Sequence, residues 1–84
     1  MQKKVLVVDD EEGICIFIRE LLERKGCRVF VSTDTEEALK IFERERPQAC
    51  VLDVHMPFSS FDGIELLRRI REIDKTVNCF MLSR

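Results

Sequence analysis

Lys4-Val5-Leu6-Val7-Val8-Asp9-Asp10 opens on one lysine, continues as an unbroken apolar run and stops abruptly at two acids. A strand buried on both faces reads this way, continuous rather than alternating, and such strands belong to parallel sheets covered on both sides. The same grammar returns at Ala49-Cys50-Val51-Leu52, which stops at Asp53, and again from Val77 to Leu82. A weaker strand, Arg28-Val29-Phe30-Val31, follows Gly26, a natural helix stop.

Between these strands the period changes to that of a helix. Ile14, Ile18, Leu21 and Leu22 share a face from about Glu12 to Lys25. Ala38, Leu39 and Phe42 do so from about Thr35 to Arg46, where Asp34 and Glu37 are spaced as a capping box and Pro47 ends the helix. Ile64, Leu67 and Ile70 mark a third helix from about Asp62 to Ile73. The order β-α-β-α-β-α-β implies right-handed crossovers and an α/β fold, a parallel β-sheet with flanking helices.

The chain has 84 residues, enough for one domain and only a modest core. It is 45% apolar and 36% charged, the profile of a globular chain rather than a disordered one. Its net charge of −2 lacks the basic excess that a nucleic-acid-binding surface needs. No stretch is long enough to span a membrane, and the start carries no signal peptide. The four cysteines, Cys15, Cys27, Cys50 and Cys79, are too scattered for a zinc site. They read as small buried hydrophobes in a reducing, cytoplasmic setting.

Ligands of open α/β sheets bind beyond the carboxyl ends of the strands. Two strands here end in acid, at Asp9-Asp10 and at Asp53. If those strands are neighbours, three carboxylates meet on one rim and repel one another. A hard cation resolves that conflict, and Mg2+ takes oxygen ligands, retains waters and shares its shell with phosphate. Taken alone, the Asp9-Asp10-Glu11-Glu12 run is more often a capped helix start favoured by the helix dipole than a metal site, and Asp53 alone reads equally as a turn residue before Pro57. Capping does not account for the combination.

At this point the chain resembles the response-regulator receiver domains of two-component signalling. Val5 to Glu11 is similar to their opening strand and acid pair. Val51-Leu52-Asp53-Val54-His55-Met56-Pro57 is similar to their phosphoacceptor segment, Asp62-Gly63-Ile64-Glu65-Leu66-Leu67-Arg68-Arg69-Ile70-Arg71 to the following helix, and Phe80-Met81-Leu82-Ser83 to the fourth strand with its hydroxyl residue. The resemblance covers essentially the whole chain. It implies a flavodoxin-like receiver fold, shortened to β1-α1-β2-α2-β3-α3-β4 with strand order 2-1-3-4, as a single domain over residues 1–84. It also implies roles. Asp53 would take the phosphoryl group. Asp10 would bind Mg2+ directly, Asp9 mostly through water, and His55 through its backbone carbonyl. Ser83 would hydrogen-bond a phosphoryl oxygen. The donor would be a sensor histidine kinase or a phosphotransfer protein.

Three features depart from the pattern. The stretch Met56-Pro57-Phe58-Ser59-Ser60-Phe61-Asp62-Gly63 is two residues longer than usual. It reads as a surface insertion, or else as one whose Phe58 and Phe61 contact a partner or shield the site. Arg84 stands where a small residue is usual, suited to pair with phosphate or to fray. The chain stops before the family's fifth strand and its phosphate-pairing lysine, and Lys75 should lie at the opposite end of the sheet. Without the last helix, Val77, Cys79, Phe80, Met81 and their neighbours on strands one and three would show apolar surface, which a homodimer would bury.

Three functions follow. The first is a signalling receiver that accepts phosphate on Asp53 and is not itself an enzyme. The second is a phosphorylation-impaired, constitutively dimeric docking module. The third, a magnesium-dependent phosphatase, lacks a substrate cap or basic pocket, and turnover of a phosphomonoester would distinguish it.

Overall fold

The computed structural model describes residues 2–83. Its elements are β1 (Lys4–Val8), α1 (Glu12–Arg24), β2 (Arg28–Ser32), α2 (Thr35–Glu45), β3 (Ala49–Asp53), α3 (Gly63–Ile73) and β4 (Asn78–Leu82). All strand pairs are parallel and the sheet order is β2-β1-β3-β4. The α/β alternation, the strand order and the parallel sheet expected from sequence are therefore all present.

Alternate residues of each strand feed opposite faces. Leu6, Val8, Cys50 and Leu52 point to the face covered by α2 and α3, where they meet Ala38, Phe42, Leu66 and Ile70 in a core closed to solvent. Burying a side chain of this size contributes about 1.5–3 kcal/mol. Val5, Val7, Val29 and Val31 point to the other face, where Cys15, Ile18 and Leu22 of α1 cover them. That cover reaches β1 and β2. On the β4 side of the same face Phe80 is 60% exposed, and Phe17 on α1 is 62% exposed.

The expected apolar surface is thus real but narrower than anticipated. Val77 is buried, because it precedes β4 and tucks into the α2/α3 core, with Arg71 donating to its carbonyl. Val5 and Val7 on β1 are buried under α1.

Helix ends follow local chemistry. Gly26, at φ +88°, closes α1: its N–H donates to Glu23 O and that of Cys27 to Leu22 O, at 3.0 and 3.1 Å. This paired arrangement uses the left-handed residue that glycine adopts without steric cost. Asp34 caps α2 by accepting from Glu37 N–H at 3.0 Å. Only half of the expected capping box forms, since the Glu37 carboxylate accepts from the Ser32 hydroxyl at 2.7 Å. The Ser32 oxygen in turn takes the Asp34 N–H, at 3.1 Å. Asp62 caps α3 through Glu65 N–H at 2.9 Å.

Candidate metal and phosphoacceptor site

Adjacent parallel strands β1 and β3 end side by side, with Val8 in register with Leu52. The next residue of each is an aspartate, so the chain leaves Asp9 and Asp53 at the same level of the rim. Asp9 is 0% exposed and Asp53 1%, while Asp10 is half-buried. One carboxylate oxygen from each of Asp9, Asp10 and Asp53 lies within 4.8 Å of the other two. The convergence expected from the strand ends is present.

Backbone groups aim these side chains. Asp9 Oδ1 accepts from Glu11 N–H at 2.9 Å, and Asp53 Oδ1 from His55 N–H at 3.1 Å. Asp9 N–H donates to Ser32 O at 3.2 Å, tying the rim to β2. The buried Cys15 thiol donates to Asp9 O at 3.4 Å, and burial pushes that thiol above its ordinary range. The acid run therefore does two jobs. Glu11 and Glu12 start α1, with Glu12 in its first turn, while Asp9 and Asp10 turn toward the rim.

Gly63 explains how α3 begins so close to Asp53. A Cβ at this position would lie 1.8 Å from the carbonyl oxygen of Asp53. The Gly63 N–H donates to Val54 O at 3.2 Å, seating the helix against the strand end. The Asp62-Gly63 pair was visible in the sequence, but the contact that requires the glycine was not.

The other predicted residues take varied places. Ser83 directly follows Leu82, the register partner of Asp53, and is exposed. His55 is exposed, with its backbone N–H on Asp53. Lys75 lies in the turn before β4, at the amino ends of the strands, as expected. Arg84 lies outside the described residues. All four cysteines are free thiols; Cys15 and Cys50 are buried and Cys27 and Cys79 half-buried.

At an effective dielectric of about 20, each carboxylate pair at this separation repels by about 3–4 kcal/mol. Three oxygen donors of like charge, two of them from buried residues, suit a hard divalent cation. The residues present fit Mg2+, which receiver domains bind at an acidic pocket of this kind. Among the described residues, no helix is long and apolar enough to cross a membrane.

Known proteins resemble this chain in sequence and in fold. The family model of the response regulator receiver domain matches residues 5–84. The chain is 49% identical over 72 residues to the alkaline phosphatase synthesis transcriptional regulatory protein PhoP of Bacillus subtilis, covering 86% of this chain and 29% of that protein. It is 35% identical over 83 residues to sporulation initiation phosphotransferase F of the same species, covering 99% of this chain and 65% of that one. A response regulator receiver domain protein (CheY-like) from Methanospirillum hungatei superposes with a TM-score of 0.93 at 25% identity, over 99% of this chain and 65% of its own. The chain thus spans less than two thirds of the length of these relatives. With fold, strand order and acid cluster in agreement, the chain belongs to the response regulator receiver domain family.

Proposed function

We propose that the 84 residues act as one signalling unit that accepts a phosphoryl group on Asp53 with the help of Mg2+. The observation that carries this reading is the meeting of Asp9, Asp10 and Asp53 within 4.8 Å at the carboxyl rim. A carboxylate oxygen of Asp53 attacks phosphorus in line. The bond from phosphorus to the donor's nitrogen or oxygen breaks, and its electron pair leaves with the donor. Asp10 would hold the metal directly, Asp9 mostly through water, and His55 through its backbone carbonyl. Bound there, Mg2+ would supply positive charge against the phosphoryl oxygens. Ser83 hydrogen-bonds one of those oxygens in the phosphorylated form.

The donor is a sensor histidine kinase or a phosphotransfer protein, and the setting is cytoplasmic. Nucleic acid is not a partner of these residues, whose net charge is −2. The unit is a signalling module rather than an enzyme that turns over substrate.

The chain should label with acetyl phosphate and magnesium. Intact mass spectrometry should show gain of one phosphoryl group, abolished in Asp53→Ala. Labelling that survives this substitution would remove Asp53 as the acceptor.

A second reading rests on a separate observation. Phe17 and Phe80, exposed by 62% and 60%, lie on the side of the sheet that α1 covers only over β1 and β2. A second copy burying this strip and the β4 edge would make the chain a homodimer, and a docking module even if Asp53 stays unphosphorylated. Sedimentation at micromolar concentration should show a dimer that Phe80→Glu dissociates. A well-folded monomer in the unsubstituted chain would dismiss this reading.

A further inference from the structure

Four hydrogen bonds cross from the start of α2 to the loop between β3 and α3. The Thr35 N–H donates to Ser59 Oγ at 3.2 Å, and the Ser59 hydroxyl donates to Asp34 Oδ1 at 3.3 Å. The Thr35 hydroxyl donates to the Phe61 carbonyl at 2.7 Å, and the Ser60 hydroxyl to Glu36 Oε1 at 2.5 Å. Two needs are met together. The first N–H of α2 lacks an intrahelical acceptor and finds one in Ser59. The loop, which has no ladder of its own, finds fixed partners in its middle.

The ends of the loop are held elsewhere. Val54 N–H donates to Leu82 O at 3.0 Å and Gly63 N–H returns to Val54 O at 3.2 Å. Between them, Phe61 is half-buried, packs on the α2/α3 core and lies beneath the Arg69 guanidinium, 4.0 Å from its ring centroid. Thr35 is fully buried and Phe61 half-buried, so the bond between them is partly sheltered from water. Phe58 is 96% exposed and takes no part in these contacts. The extra length of the loop is thus built into the fold at Ser59, Ser60 and Phe61.

This loop carries His55, whose N–H already engages Asp53 Oδ1 at 3.1 Å. A displacement of the loop would therefore move the backbone beside the acceptor carboxylate. We infer that Thr35 and Ser59 are positioning residues: they strap the β3–α3 loop to α2 and hold the His55 backbone carbonyl in place for the cation. The inference rests on the reading of Asp53, Asp10 and His55 given above. Ordering the loop in advance removes an entropic cost that binding would otherwise bear.

Thr35→Val removes the hydroxyl and keeps the shape, whereas Thr35→Ser keeps the hydroxyl. Amide exchange over residues 54–62 is measured without metal, and magnesium affinity by calorimetry. In Thr35→Val the loop should exchange faster and magnesium should bind more weakly, each on the order of fivefold to tenfold, equivalent to one buried hydrogen bond. Thr35→Ser should restore both, and Phe58→Ala should change neither. Should Thr35→Val fail to fold, the double variant Ser59→Ala, Ser60→Ala tests the same strap. Unchanged loop exchange in a folded strap variant would overturn the inference, and so would faster exchange with unchanged magnesium affinity. A parent chain that binds no magnesium would strike the acceptor reading instead, a result distinct from either.

Discussion

On the two sides of the first turn of α3, acids are held in different ways. On its solvent side Glu65 is gripped by neighbours from its own helix. Arg68 donates to it through Nε at 2.9 Å and a terminal nitrogen at 2.6 Å, and Arg69 through Nε at 2.9 Å. The Arg68 guanidinium first, then that of Arg69, holds the Glu65 carboxyl at about 2, far below its ordinary value of 4.5. On the inner side, across Gly63, Asp53 lies against two more aspartates. The helix supplies cations at i+3 and i+4 as a matter of spacing. The rim gathers acids from two strand ends, where backbone N–H groups aim the carboxylates. An acid with a cation on its own helix is part of the scaffold, whereas three acids gathered on a shared rim make a cluster that could hold a metal ion.

The sharpest test of that contrast is Asp10→Asn. With magnesium at about a hundred times its dissociation constant, the parent chain should gain about 2.7 kcal/mol of stability. The variant should gain none. Urea unfolding with and without magnesium measures the gain. A variant that gains as much as the parent would mean that Asp10 does not hold the metal, and the contrast with Glu65 would fail.

Gly63→Ala probes the boundary between the two groups. Its Cβ would lie 1.8 Å from the Asp53 carbonyl oxygen, so either α3 or the strand end must shift. Such overpacking costs about 1–3 kcal/mol. It should also slow labelling of Asp53, while the Glu65–Arg68 pair on the outer face remains. A urea midpoint equal to that of the parent would show that α3 tolerates displacement, and that its seat on Asp53 does not shape the rim.

How much of this was legible in the sequence follows from which contacts are local. The strands were readable because Val5–Val8 and Ala49–Leu52 are continuous apolar runs, as fully covered parallel strands require. Asp9, Asp10 and Asp53 stood out because each follows such a run. That β1 and β3 are neighbours needed the strand order, which came with the family resemblance. The bonds of Thr35 to Phe61 and of Ser59 to Asp34 join residues 26 and 25 positions apart, and no periodicity announces them. Ser32 was read as nothing in particular, yet it diverts Glu37 from the expected capping box. Val77 was expected at the surface because the strand pattern was extended one residue too far; the packing of the α3–β4 turn buries it.

Glu65→Gln carries the smallest expected effect and the most informative pH dependence. The carboxyl is depressed in the folded chain, so its ion pairs stabilise whenever pH lies above the unfolded value, near the ordinary 4.5. That contribution is lost as pH falls toward about 2, where the folded carboxyl takes up its proton. The pairs are solvent-exposed at Arg68 and half-buried at Glu65, so salt and water weaken them. Thermal midpoints of parent and variant should differ slightly at neutral pH and low salt, with the parent higher. The two should converge as pH falls from 4.5 toward 2, and also as salt is raised at neutral pH. A gap that persists at pH 2 would assign the effect to helix propensity or packing of the side chain rather than to charge. Glu65 would then no longer serve as the paired counterpart to the acids of the rim.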